Sequence, residues 1–461
     1  MFERIFIDAT YTLASGKNSG IERVVRSLLR ESGSLADAGA IPKPQSIISI
    51  DGKFYAPDAR QLSLFRQPAA MHANVMAQMP WLYQLTAEAV CSAIPSRRLR
   101  KWTLPQAGHL GLFKLPHNWF ESHVRRQITQ HCAPLDFQPG DLILLPDAYW
   151  VNRLRNSVWP AAAKVRQQGG MIATLLYDLI PLTHPEFVGL KRHAAFLDYL
   201  KKTVEHSDLL LAISATVRDQ VINFLPTISE PEQPICRDVR AIQLGAELES
   251  ISGPVRQDVR DVFAADQAPY LMVATFDPRK NHRFLLDAFE LLWEDQPDLK
   301  LCLVGRIGSR CDELVQRITQ HPRLGKSLFL FSDLSDAELH HCYKGARGVI
   351  FPSIVEGFGL PIVESLWFGK KTFISDTPIH REVGAEDCTY FDLEHPSSLV
   401  ANILAWEADM ADGLEPPHSD RQLATWSQCA RQVFEHCEQA AADRHCLADS
   451  VTSDSDLQRV A

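Results

Sequence analysis

Twice along this chain, short apolar runs of strand length alternate with stretches of helical periodicity, and that rhythm limits the fold more than any other feature. In the first series RIFID (4–8) ends in Thr, Ser and Gly, after which Ile21, Val24, Val25, Leu28 and Leu29 recur at helical spacing. LILLP (142–146) leads into a helical stretch reaching Gln168, and MIATLLYD (171–178) into one around Lys191 to His206. DLLLAIS (208–214) runs into a helix that Ser214 is suited to cap. The second series reads PYLMVATF (269–276), LKLCLVG (299–305), SLFLFS (327–332), GVIFPS (348–353) and KTFIS (371–375), with helices from about His282, near Asp312 to Thr319, from Asp336 and from Gly359. Apolar strands separated by helices predict parallel sheets covered on both faces.

The expected architecture is therefore α/β, with two doubly wound halves in tandem. Residues 1–245 form the first and 246–400 the second, joined through the polar stretch ELESISGPVRQD. Residues from about 54 to 140 break the rhythm with scattered Pro, aromatic and basic residues and are expected to be an insertion. Terminal helices and a polar tail fill 401–461, the tail fraying after about Ala440.

Composition narrows the function. A net charge of -9 gives no general attraction to nucleic acid phosphates. The ten cysteines contain no Cys-x-x-Cys pair, which predicts reduced thiols and a cytosolic setting. The start, MFERIFID, places charges where a leader would need its apolar core, and no run approaches the roughly 18 apolar residues of a spanning helix. His436-Cys437 with His445-Cys446 matches no zinc-site spacing, and Asp454-Ser-Asp456 follows no strand, so no metal site is expected.

Ligands of open parallel sheets bind beyond the carboxyl ends of the strands. Asp277-Pro-Arg-Lys-Asn281 follows one such end, and Arg279 and Lys280 there suit a diphosphate, or else form a solvated turn with Asn281 capping the next helix. Glu356-Gly-Phe-Gly-Leu-Pro-Ile-Val-Glu364 follows another and opens a helix. Gly357 and Gly359 permit close backbone approach to a ligand, and the free N–H groups of the helix start favour an anion. Glu356 and Glu364 are too far apart along the chain to share a proton. Carboxylates for polyol groups beside cations for phosphates describe a nucleotide sugar.

These residues resemble glycosyltransferase family 4, the retaining enzymes of the GT-B fold, in which two Rossmann-like domains face a central cleft. The spacing from Glu356 to Glu364 carries most of the resemblance, joined by TFDPRKNH (275–282), LVGRIG (303–308), SDLSDAEL (332–339), YDLIPLTHPEF (177–187), ISATVRD (213–219) and the loop before Gly20. The resemblance implies that Arg279 and Lys280 bind the donor diphosphate, that Glu356 contacts the transferred sugar and that Glu364 holds the ribose hydroxyls. It implies also that Gly357, Phe358, Gly359 and Leu360 line the donor, with Ser332 to Leu334 near the base. The loop from Ser15 through Gly16 to Gly20 would face the phosphates from the first domain. Asp178 is expected to orient an acceptor hydroxyl or contact the sugar, a turn-stabilising role being its alternative.

Two departures stand out: Tyr177 occupies a position where relatives often carry His, and a hinge often written Pro-Leu-Gly reads Gln243-Leu-Gly245 here. The segment Arg97 to Trp102, with Phe113, Trp119, Arg125 and Arg126, mixes cations with aromatics, a composition that suits an anionic membrane and equally a packed insertion. The expected function is a mannosyltransferase that moves mannose from GDP-mannose to a glycan or lipid-linked oligosaccharide in bacterial surface polysaccharide synthesis. It would work without a cofactor, in the cytoplasm, free or peripheral at the inner face of the membrane. A sugar-nucleotide epimerase, a phosphorylase and an inactive assembly scaffold are the alternatives on the same fold.

Overall fold

The computed structural model describes residues 2–15, 20–58, 125–126, 128–150, 155–228, 236–248, 253–264, 268–308, 310–413 and 421–457. Its first sheet contains β1 (Arg4–Asp8), β2 (Gln45–Ile50), β3 (Lys53–Tyr55), β4 (Asp141–Leu145), β5 (Met171–Leu176), β6 (Leu209–Ala212) and β7 (Val239–Ala241). They lie in the order β3-β2-β1-β4-β5-β6-β7. All neighbours run parallel except β2 and β3, which pair antiparallel with Ile50 opposite Lys53. Asp51 and Gly52, both at positive φ, form the two-residue turn between them. The second sheet contains β8 (Tyr270–Val273), β9 (Leu301–Val304), β10 (Leu328–Phe331), β11 (Gly348–Phe351), β12 (Thr372–Ser375) and β13 (Thr389–Phe391). Its order is β10-β9-β8-β11-β12-β13, parallel throughout.

The strands form because their residues can be dry on both faces: every residue of β4, β5, β6, β9, β11 and β12 is buried. In each sheet the order reverses once, between β1 and β4 and between β8 and β11, and helix-bearing loops leave the carboxyl ends there. The largest apolar core joins the two lobes, running from Ile5, Leu142 and Leu175 through Leu244 and Trp426 to Met272, Phe351 and Phe373.

Three expectations need correction. The hairpin of β2 and β3 was not foreseen, and the insertion boundaries shift because Phe54 and Phe137 pack ring to ring inside the first lobe's core. Most of the basic and aromatic segment, Arg97 to Trp119, lies outside the described residues. β8 stops at Val273, and Phe276 makes only an isolated bridge to Ile307. The chain does not fray at Ala440, since one helix runs from Trp426 to Leu457.

That last helix returns to the first lobe and packs on the Gly20–Asp37 helix. His436 Nε2 meets the Ala241 carbonyl at 3.1 Å, and Arg240 bonds Asp443 at 3.0 Å. The hinge explains its glycine: a Cβ on Gly245 would lie 2.4 Å from the Trp426 nitrogen. Among the described residues no helix is long and apolar enough to cross a membrane.

Candidate functional site

The site is built where the second sheet reverses. After β8 the chain turns through a short 3-10 segment, Pro278–Lys280, in which the Asp277 carboxylate accepts from the Arg279 backbone N–H at 3.2 Å. Asn281 then stands in the left-handed region at φ 58°, and its side chain caps nothing. The two cations of the turn are paired rather than free in solvent. The Arg279 guanidinium donates to Glu356 at 2.8 Å and to the Val355 carbonyl at 3.2 Å, while the Lys280 ammonium pairs with the other oxygen of Glu356. That ammonium also sits 5.0 Å from the centre of the Phe351 ring. The two cations expected for a phosphate and the carboxylate expected for a sugar stand side by side, paired with one another.

Burial governs their titration. It alone would push Glu356 up, but Arg279 and Lys280 more than reverse it, to about 2. Burial pushes Lys280 down to about 8, against the pull of Glu356 and with the repulsion of Arg279. Arg279 is held charged by Glu356 and Asp178 in spite of its desolvation.

After β11 the loop reaches Gly359, whose φ of 102° is an N-cap conformation open to glycine, and the Leu360–Trp367 helix begins with no side chain capping it. Pro361 stands in its first turn, where a missing N–H costs little. Glu364 is not a surface residue of that helix; it is 3% exposed. One of its oxygens pairs with Arg23 of the first lobe, and the other accepts from the Tyr343 hydroxyl at 2.7 Å.

The first lobe meets this loop directly. A Cβ on Gly357 would lie 1.9 Å from the Tyr177 carbonyl oxygen, so glycine is required for the lobes to approach. Ser214 caps its own helix at the Val217 N–H (3.0 Å) and also donates to the Gly357 carbonyl at 2.9 Å. Glu382 of the second lobe caps the Ala215–Ile228 helix of the first, accepting from the Ala215 and Thr216 N–H groups at 2.6 and 2.8 Å. Gly20, first in its helix, faces Leu360.

Asp178 lies at the end of β5 and faces the cation pair, and its Oδ1 also accepts the Ile180 N–H at 3.0 Å, so the turn-stabilising contact is present as well. Burial raises its carboxyl, with Arg279 opposing. The Tyr177 side chain turns from the lobe contact that its carbonyl makes with Gly357: its hydroxyl donates to the Pro146 carbonyl at 2.5 Å. The structure thus gathers Arg279, Lys280, Glu356, Asp178, Gly357 and Gly359 where the two lobes meet, with Phe358 buried and Leu360 beside it. Ser332 is exposed beyond β10, Leu334 packs on the second lobe's outer core, and Gly16 lies outside the described residues. Sequence reasoning missed Arg23, Tyr343 and Glu382; no spacing pairs them with their partners.

Known proteins share parts of this sequence and the two-lobed fold. A family model described as Glycosyl transferases group 1 matches residues 256–413. The serotype-specific mannosyltransferase WbdA of Escherichia coli is 32% identical over 331 residues, covering 70% of this chain and 40% of that protein. The chain therefore spans about two fifths of the length of that relative. O-antigen chain mannosyltransferase B of Escherichia coli is 28% identical over 271 residues, covering 57% of this chain and 68% of that one. Two solved structures share the fold across 98% of this chain and 99% of their own. They are sucrose-phosphate synthase from Thermosynechococcus elongatus (16% identity, TM-score 0.51) and Anabaena HepE in complex with UDP and glucose (15%, 0.50). Residues 256–413 thus carry the likeness to the group 1 glycosyl transferases, and the two lobes share the fold of those solved structures.

Proposed function

We propose that the protein transfers mannose from GDP-mannose to a glycan or lipid-linked oligosaccharide of a bacterial surface polysaccharide, with retention at the anomeric carbon. The observation that carries the reading is the meeting of Arg279, Lys280 and Glu356 with Asp178 across the crevice between the lobes. The mannosyl donor draws support from relatives named as mannosyltransferases. The acceptor would be met in the cytoplasm or at the inner face of the membrane.

Breaking the anomeric C–O bond builds negative charge on the departing diphosphate as the sugar takes oxocarbenium character. Arg279, Lys280 and the uncapped helix start at Gly359 are placed to receive that charge. A donor entering the crevice frees both cations from Glu356, whose carboxylate then faces the sugar hydroxyls. Asp178, on the opposite wall, orients the acceptor hydroxyl. Lobe closure through Gly357, Ser214 and Glu382 excludes water and favours transfer over hydrolysis.

The test is a panel of nucleotide sugars. GDP-mannose should raise the melting temperature most, and GDP should be released only when an acceptor is supplied. Stabilisation by another nucleotide sugar alone would remove the donor assignment, and acceptor-independent consumption would remove transfer.

A further inference from the structure

Glu364 is the residue expected to hold the donor's ribose, yet its carboxylate is engaged on both oxygens. Tyr343 is a neighbour from its own lobe; Arg23 is not. Arg23 stands three residues after Gly20 in the Gly20–Asp37 helix and crosses the cleft to reach the carboxylate. Its side chain is 18% exposed and that of Glu364 4%, so the pair is largely withdrawn from solvent. The lobes do not rely on this contact alone to meet, because Glu382 caps the Ala215–Ile228 helix and Ser214 donates to Gly357. Among these described contacts between the lobes, the Arg23 pair is the one that occupies the carboxylate expected for the ribose.

We infer that Arg23 competes with the donor's ribose for Glu364 and so sets the threshold for donor binding. This rests on the ribose reading of Glu364. Each carboxylate oxygen has two acceptor sites, so the Tyr343 hydroxyl can stay while a ribose diol binds. The Arg23 guanidinium occupies the other oxygen of a carboxylate with little exposed surface, so a diol bound there displaces it. A ligand that needs a minor state binds more weakly by the fraction of molecules in that state.

The experiment measures the affinity of the full chain for guanosine and for uridine, which carry the ribose without phosphates, in wild type, Arg23→Met, Arg23→Lys and Glu364→Gln. If the pair is made in about nine molecules of ten, Arg23→Met should bind the preferred nucleoside about tenfold more tightly than wild type. It should do so while melting at a lower temperature, because Glu364 loses a buried partner; a merely structural arginine would lower both. Arg23→Lys restores a cation and should bind like wild type. Affinity in Arg23→Met equal to or below wild type, with Glu364→Gln weakened, overturns the competition and leaves the ribose reading standing. An undiminished affinity in Glu364→Gln overturns the ribose reading itself.

Discussion

Glu356→Gln removes the anion that Arg279 and Lys280 both hydrogen-bond, and the geometry dictates how the loss should depend on pH. Glu356 is 7% exposed and holds Arg279 at 2.8 Å on one oxygen and Lys280 on the other. Breaking a buried pair by removing one partner costs about 3–5 kcal/mol, and the retained amide oxygen puts this case near the lower end. Arg279 stays charged throughout, so its share does not vary with pH. Lys280 does vary. In the wild type it titrates at about 8, below its unfolded value of roughly 10.4, so folding releases a proton and stability rises with pH from about 8 upward. Without Glu356 the ammonium keeps its burial, the repulsion of Arg279 and the weaker pull of Asp277 but loses its main attraction, and the rise begins at lower pH. At pH 7 the wild-type lysine is about nine-tenths protonated and the variant's is less so; at pH 9 both are largely neutral. The stability gap should therefore narrow by up to ~1 kcal/mol between pH 7 and pH 9. Urea unfolding of both proteins at the two pH values, followed by tryptophan fluorescence, reads the gap. A gap that is constant, or that widens at pH 9, would refute the assignment of Lys280 as a buried cation held by Glu356.

Lys280→Arg keeps the charge but removes the titration, so the alkaline fall of kcat/KM, centred at about 8 in the wild type, should disappear in the variant; the same limb in both proteins would place it on another group. Asp8, fully buried beside Asp147, is raised by burial and by that neighbour to about 7. Its stabilising contribution is complete below the ordinary carboxylate range and is lost as pH rises through 7, by up to about 4 kcal/mol. Asp8→Asn should thus flatten the decline in melting temperature from pH 5 to pH 8, and an unchanged slope would show that another group is responsible. Gly357→Ala places a methyl 1.9 Å from the Tyr177 oxygen and should hold the lobes apart, raising the donor KM and the radius of gyration with circular dichroism unchanged. Scattering identical to wild type would mean that the cleft does not close on this glycine.

What the sequence reveals of this site is what one loop can carry by itself. Arg279 and Lys280, and the spacing from Glu356 to Glu364, stand directly after apolar runs that can only be buried strands. The strand rhythm therefore puts them at the crevice before any coordinate is known. Ser214 is legible for the same reason, as a cap beside a strand end, although its second bond to Gly357 is not. The turn Asp51-Gly52 is equally local and is a strong hairpin signal, but the scattered residues from Phe54 onward, which read as an insertion, hide the strand that follows it. The other errors share one cause. By sequence alone Lys280 can sit in a solvated turn, and what covers it is a carboxylate 76 residues away. Arg23 finds Glu364 across 341 residues and Glu382 finds Ala215 across 167. Such pairs arise only when two separately readable lobes meet, so periodicity within either lobe holds no trace of them. Closure is thus encoded at single positions. Gly357 has no side chain because the Tyr177 carbonyl stands where one would go, and Gly245 has none because Trp426 does; each records a contact between segments far apart in the chain.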